Sequence, residues 1–212
     1  MYVNAGTGRV KHFSIWLALL ALLPALVFTV SRPLAAERGQ PLVGQLLVAT
    51  EEMKDPRFVE SVIYIVKHDH EGTMGLVINR PMAQAPIDDL LKGFGAEAKG
   101  NSREIIIHYG GPVSSRQGFL LHSDDVLLEN SMKAKDGIAA TSDTKMIQAI
   151  ASGKGPRQFL FMLGYAGWAP EQLEDELKAK TWVVVSPDKS LIFGKDAEKK
   201  WRQAIDKRQI PL

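Results

Sequence analysis

The strongest constraint on this chain is a pair of apolar segments separated by a short polar turn. Ser61–Lys67 is rich in β-branched and aromatic residues and is apolar on both faces, which is typical of a central β-strand. Asp69–Gly72 supplies the turn, and Met74–Asn79 has the composition of the return strand. The sequence therefore predicts a β-hairpin inside a larger sheet.

The rest of the body mixes strand and helix patterns without strict alternation. Further predicted strands are Gln45–Ala49, Ile105–Tyr109, Gly118–His122, Gln158–Tyr165 and Trp182–Ser186, with Leu191–Phe193 as a candidate short strand. Predicted helices are Ala85–Phe94, one capped by Ser142, one opened by Pro170 and one capped by Asp196. An early hairpin followed by such a mixture predicts an α+β fold, a single domain with a mixed sheet and about four helices.

A basic-then-apolar leader precedes this body. Arg9 and Lys11 come before eighteen uncharged residues at 13–30, and a helix of that length, roughly 27 Å, matches a hydrocarbon core. Cleavage after Ala36 would make it a signal peptide, and retention would make it a signal anchor. The basic flank predicts a translocated body, either exported or anchored in the bacterial inner membrane. A misassigned start would instead leave the body in the cytoplasm.

Composition limits the classes of function. The 212 residues divide into the leader at 1–36, a polar linker at 37–43 and one domain at 44–212. The leader holds three of the 26 basic residues and none of the 24 acidic ones, so the body has 23 basic and 24 acidic residues. A nearly neutral body predicts no nucleic-acid partner. The absence of cysteine excludes disulfides and thiolate zinc sites.

Short motifs follow one another along the body in a specific order. They are QLLVATEEMKDPRF at 45–58, GLVINRP at 75–81, GGPV at 110–113, GFLLH at 118–122, GYAGW at 164–168, then Gln172-Leu173, Glu176-Leu177 and Trp182. In this order and spacing the chain resembles the bacterial AlgH/YqgE family over about three quarters of its length, from Gly44 to Trp201. The resemblance implies a strongly bent, pseudo-barrel-like mixed sheet, and it brings no established reaction or cofactor. Family members usually lack an apolar leader.

Motifs that could carry metal or catalytic chemistry are weak. His68-Asp69-His70 lies in the hairpin turn and no further ligand cluster follows, so we predict no metal site. His108 and His122 lack the Gly-x-Ser-x-Gly signature of a nucleophile nearby, so we predict no catalytic residues and no cofactor. Gly110–Pro112 is interpreted as a tight bend, with an anion-binding loop as the alternative. The basic side chains of the last helix, Lys199, Lys200, Arg202, Lys207 and Arg208, are interpreted as a solvated face.

Five residues remain candidates for ligand binding, namely Asn79, Arg80, His122, Tyr165 and Trp168. Arg80 ends a buried strand, where a guanidinium can bind a carboxylate or phosphate bidentately or tie down a loop through free carbonyls. Trp168 suits either core packing or a binding platform.

These observations favour a non-enzymatic interaction or regulatory domain with an unidentified protein partner, and with a membrane contact through residues 13–30 if the leader is retained. Two alternatives stay open. One is an enzyme acting on a small ligand near Arg80 and His122, which requires both residues and an acid to converge on an open pocket. The other is a cytosolic transcription-linked regulator with a misassigned start.

Overall fold

A computed structural model describes residues 42–98 and 100–208. The leader at 1–36 and its predicted apolar helix lie outside the described residues, as does most of the linker. In the described part of the chain, no helix is both long enough and apolar enough to cross a membrane.

The described residues form a mixed α+β domain. In chain order the elements are β1 (Leu46–Ala49), β2 (Val62–Asp69), β3 (Gly72–Val77), β4 (Pro81–Pro86), α1 (Ile87–Gly93), β5 (Glu104–Tyr109), β6 (Val113–Ser123), β7 (Met132–Lys133), β8 (Ile138–Thr141), α2 (Thr144–Ala151), β9 (Phe159–Trp168), α3 (Gln172–Lys178), β10 (Trp182–Val185), α4 (Lys189–Phe193) and α5 (Ala197–Lys207). The α+β class is confirmed, with five helices in this part of the chain in place of the predicted four.

The predicted hairpin is confirmed as β2 and β3, which pair antiparallel with Ile63 opposite Val77. Alternate side chains point to opposite faces of a strand, and both faces of this hairpin are covered. Tyr64 and Leu76 enter one core cluster, whereas Ile63 and Val77 enter another. Burial on both faces is the reason why the segment is apolar throughout.

The strand β9 joins the two parts of the sheet. The main strand order is β10-β1-β2-β3-β9-β6-β8-β7. The first part of β9 pairs with β6 on one side and with β5 on the other, and its last residues pair with β3 through Ala166 and Gly75. Among the described strand pairs only β5–β9 is parallel, which makes the sheet mixed and largely antiparallel. The strong bend implied by the family resemblance stays a prediction.

Some element predictions were wrong. Leu191–Phe193 belongs to the short helix α4, where Asp188 accepts a hydrogen bond of 2.8 Å from the Ser190 backbone N–H. Asp143, not Ser142, caps α2 by accepting from the Lys145 N–H at 2.9 Å. Asp196 occupies the N-cap position of α5, as predicted, but its side chain makes no capping hydrogen bond and instead pairs with Lys199 at 2.7 Å.

Candidate functional site

The motif glycines allow two backbones to cross at close range. A Cβ on Gly111 would lie 2.1 Å from the carbonyl carbon of Tyr165, and one on Gly164 would lie 2.3 Å from the Gly111 oxygen. The Gly110 N–H also donates to the Leu163 carbonyl at 2.8 Å. These contacts leave no room for a side chain, which favours the interpretation of Gly110–Pro112 as a tight bend.

This crossing places four motif segments around one cavity of about 420 Å³, here called the tryptophan groove. Residues that line it are Met53, Arg57, Phe58, Val113, Gly167, Trp168, Gln172 and Glu176. They come from the loop before β2, from GGPV, from GYAGW and from α3. Segments more than 100 residues apart in sequence therefore meet here.

Glu176 anchors the floor of the tryptophan groove. One of its carboxylate oxygens accepts the indole N–H of Trp168 at 2.9 Å and that of Trp182 at 2.7 Å, and the other accepts from Gln172 at 2.9 Å. The two indoles meet edge to face with centroids 6.0 Å apart. Trp168 is buried with its only donor engaged, so it serves chiefly as packing. Sequence reasoning missed the role of Glu176, although this residue lies within the motif series.

Tyr165 packs edge to face against Phe119, with centroids 5.7 Å apart. It is half-buried and lines a neighbouring cavity of about 380 Å³ with Lys67, Met74 and Trp168. Of the five predicted ligand-binding residues, Tyr165 and Trp168 are thus brought together.

Asn79 and Arg80 lie at a different place, the end of β3. They line a cavity of about 640 Å³, here called the arginine corner, together with Arg57, Pro81, Met82, Tyr109 and Glu198. Burial raises the pKa of Tyr109, and the nearby Arg57 and Arg80 offset part of that rise. The Tyr109 phenol is therefore close enough to Arg57 and Arg80 to be affected by both positive charges.

Asn79 is fully engaged in holding the loop before β2. Its side-chain oxygen accepts from the Val62 N–H at 2.9 Å, and its amide donates to the Glu60 carbonyl at 2.8 Å. Glu60 has a φ of +55°, a strained conformation for a residue with a side chain. Arg80 donates to the adjacent Val59 carbonyl. Both residues thus tie down this loop, as the structural interpretation of Arg80 expected.

The two guanidinium groups of the arginine corner differ in their partners. Arg57 forms a two-pronged pair with Asp55 at 2.6 and 3.0 Å. Arg80 forms no ion pair with any acid of the described residues. Arg80 is therefore the guanidinium with capacity for an external anion.

His122 lies apart from the arginine corner. Its side chain is 0% exposed, Nδ1 is 2.9 Å from the Ser123 carbonyl, and Nε2 has no partner within the described part of the chain. Burial lowers the pKa of His122 and keeps the ring neutral. The structure does not bring His122 together with Arg80, because His122 lines neither the arginine corner nor the tryptophan groove.

Lys200 corrects the interpretation of the last helix as a uniformly solvated face. Its side chain is 1% exposed, and its ammonium donates to the carbonyls of Ile192 at 2.7 Å and Ile78 at 3.0 Å. Burial lowers the pKa of Lys200 to about 8. The spacing Ala197, Lys200, Ala204 places Lys200 on the inward face of the helix, and this was the available sequence signal.

The predicted absence of a metal site remains a prediction. Across residues 42–98 and 100–208, no group of three or more histidines, cysteines or acids is arranged to hold a metal ion. His68 lies in β2 and not in the hairpin turn where the sequence placed it, and it contacts the Thr73 hydroxyl at 2.8 Å and lies 3.6 Å from Glu174.

The described part of the chain is thus a mixed-sheet α+β domain with surface cavities lined partly by motif residues. Its sequence matches the family model described as AlgH-like over residues 46–212. The chain belongs to this AlgH-like family, which confirms the resemblance found from the motifs.

Relatives extend over most of the chain. A UPF0301 protein of Methylococcus capsulatus is 41% identical and covers 80% of this chain and 92% of its own length. A UPF0301 protein of Rhodopseudomonas palustris is 40% identical, covering 82% of this chain and 84% of its own length. Neither name states a reaction, so the family leaves the molecular function uncharacterised.

Solved structures confirm the fold. The solution structure of AlgH from Pseudomonas aeruginosa is 32% identical, with a TM-score of 0.69 over 81% of this chain and 92% of that protein. A crystal structure from Corynebacterium diphtheriae has a TM-score of 0.63 over 83% of this chain and 91% of that one. It is 20% identical and therefore shows a shared fold alone.

Proposed function

We propose that this domain is a non-enzymatic interaction domain that binds an extended, acid-bearing segment of a protein partner at the arginine corner. One observation carries the proposal. The cavity that contains Arg80 lies beside the exposed strand β4, and two exposed apolar side chains belong to residues that line this cavity or bond to Arg80. These are Val59, 42% exposed, and Met82, 52% exposed.

The strand β4 has a free edge. Within the described residues it pairs with β5 alone. The Ile87 N–H donates to the Arg103 carbonyl, so alternation along the antiparallel pair directs the N–H and C=O of Gln84 away from β5. Residues 82–85 carry no charge, although charged side chains commonly protect such edges. An extended segment can therefore add to β4 as a further strand.

The composition of the arginine corner fits protein recognition. Arginine, tyrosine and methionine are enriched at protein interfaces, and Arg80, Tyr109 and Met82 all line this cavity. Because Arg80 has no acid partner in the described structure, a carboxylate on the incoming segment would form a charge-assisted hydrogen bond with it.

Site-specific photocrosslinking in the bacterium of origin tests this proposal. A photoreactive methionine analogue at position 82 should yield a discrete adduct with another protein, and the R80Q substitution should reduce its yield. Position 184 is the control, since Val184 is a comparably exposed apolar residue, at 41%, on β10. Identical adducts from positions 82 and 184, or no discrete adduct at 82, would refute the proposal.

A second proposal concerns the location of the domain. We propose export or anchoring in the inner membrane, supported by the basic residues Arg9 and Lys11 and the apolar stretch at 13–30. Cell fractionation with N-terminal sequencing should find a mature start near Glu37 or a full-length membrane-bound chain. A soluble cytoplasmic product that starts near Leu42 would favour the alternative of a cytosolic regulator.

The arrangement of side chains gives less support to an enzyme. The enzyme alternative needs Arg80 and His122 in one open pocket, and these residues occupy separate places. Glu198 is the acid that lines the cavity with Arg80, and no serine, threonine, cysteine or histidine of the described residues lines it. A binding role requires only the free edge of β4 and the positive charge of the arginine corner.

A further inference from the structure

A further cavity, of about 410 Å³, lies where the start of β9, the strand β5 and the loop after α4 meet. We call it the phenylalanine cavity. Its walls include Arg103, His108, Phe159, Phe161, Phe193 and Lys195. None of these residues lines the arginine corner, so the cavity is a separate place on the domain.

The apolar part of the phenylalanine cavity is largely aromatic. Phe159 and Phe193 are only partly buried, and Ile106, at the same wall, is 45% exposed. The guanidinium of Arg103 lies over the Phe159 ring, 5.7 Å from its centroid. This places a cation beside the aromatic wall of the cavity.

The polar part of the cavity is cationic. Arg103 and Lys195 form no ion pair with the described residues, whereas Arg157 is paired with Asp125 at 3.2 Å. Glu104 is the acid among the lining residues. The wall therefore has an excess of positive charge with no internal partner.

A buried cation behind the wall adds to this excess. The Lys200 ammonium donates to the Ile192 carbonyl, one residue before the lining Phe193, and its two bonded partners are uncharged carbonyls. Lys200 also lies near enough to His108 to contribute to the lowered pKa of that ring, after the larger effect of burial. An unpaired charge in the interior is costly, and an anion in the neighbouring cavity would offset part of the cost.

We propose that the phenylalanine cavity binds a small organic anion with a flat aromatic body. The acid group would meet Arg103 and Lys195, and the ring would lie against Phe159 and Phe193. The volume lies within the range of pockets for small ligands, roughly 300–1,000 Å³. This site does not depend on the proposed protein-binding role, because it uses other residues.

Titration with 1-naphthoate, followed by backbone amide shifts in NMR spectra, tests the proposal. Saturable shifts are expected at Ile106, His108, Phe193 and Gly194. The neutral 1-naphthalenemethanol, which keeps the ring, and acetate, which keeps the charge, should each bind roughly tenfold more weakly or worse. Equal affinity for either comparison compound, or no saturable shift with naphthoate, would overturn the proposal.

Two pairs of substitutions separate local from general charge effects. R103Q with K195Q should weaken naphthoate binding roughly tenfold, since two charge-assisted contacts are lost. R116Q with K133Q removes the same total charge from exposed positions on β6 and β7 and should leave the affinity unchanged. All four side chains are exposed, so folding is not at risk. Equal losses for both pairs would show nonspecific attraction and overturn the site.

Discussion

At the scale of single residues, Lys200 holds a positive charge in the interior with carbonyl oxygens as its bonded partners. Burial lowers its pKa to about 8 from the usual 10.5. The unfolded chain thus binds more protons than the folded one between these values, so Lys200 makes the free energy of unfolding rise as pH increases from 8 to 10.5.

We expect K200M to abolish this contribution. Urea unfolding of both proteins should be measured from pH 7.5 to 10. Over this range the free energy of unfolding of the wild type should rise relative to that of the variant by as much as about 3 kcal/mol. The difference between the two proteins is the relevant quantity, because Tyr64 and Tyr109, whose pKa values burial raises, titrate in both. A constant difference across this range would contradict the assigned charge.

Glu176 gives a second test at this scale, because it accepts the indole N–H of both Trp168 and Trp182. E176A should lower the free energy of unfolding by about 2–4 kcal/mol, since two donors lose their acceptor. Its neighbour in α3, Glu174, serves as the control, because its carboxylate makes a long contact of 3.6 Å with His68 and accepts no indole N–H. If E174A costs as much as E176A in urea unfolding, the carboxylate does not anchor the groove.

At the scale of elements, the backbone crossing predicts that two glycines with nearly equal φ angles will differ in how much a substitution by alanine destabilises the fold. Gly164 and Gly95 have φ values of +73° and +72°, but only Gly164 faces a close backbone atom. G95A should cost about 1 kcal/mol, for the left-handed conformation alone. G164A should cost clearly more, because its Cβ would overlap the Gly111 oxygen. Thermal unfolding of both variants gives the comparison, and equal shifts would rule out steric crossing.

The edge of β4 makes a further prediction at this scale. The Gln84 N–H points away from β5, so Q84P should leave stability nearly unchanged while preventing strand addition and removing the position-82 adduct. The Ala85 N–H points toward β5, so A85P should cost about 1–3 kcal/mol by breaking the ladder. Circular dichroism during urea unfolding measures both. Similar losses for the two variants would show that the assigned orientation is wrong.

The elements that could be predicted are those with a strong local pattern. The hairpin β2–β3 was predictable because both of its faces are buried. The strand β4 was not, because Pro81 and Pro86 bound it and it lacks β-branched residues. The helix α4 has five residues, too few to show a helical period, although its capping Asp188 was a readable signal.

At the scale of the whole molecule, the fold class and the family could be predicted from the sequence. Which residues come together in one cavity could not. Arg80 and Trp168 were named from the sequence, yet only the tertiary arrangement separates the arginine corner from the tryptophan groove. The phenylalanine cavity was missed, since Arg103, Phe159 and Lys195 are individually ordinary and lie far apart along the chain. Such a site depends on long-range strand pairing, which no local pattern encodes.

The position of β1 between β2 and β10 has a consequence for biogenesis. Leu46 pairs with Tyr64 on one side and with Val185 on the other, so the second edge of β1 stays bare until residue 185 has been synthesised. A nascent chain shorter than this cannot complete the sheet. If the body crosses a membrane while it is being synthesised, the sheet can be completed only after nearly all of the domain has been made.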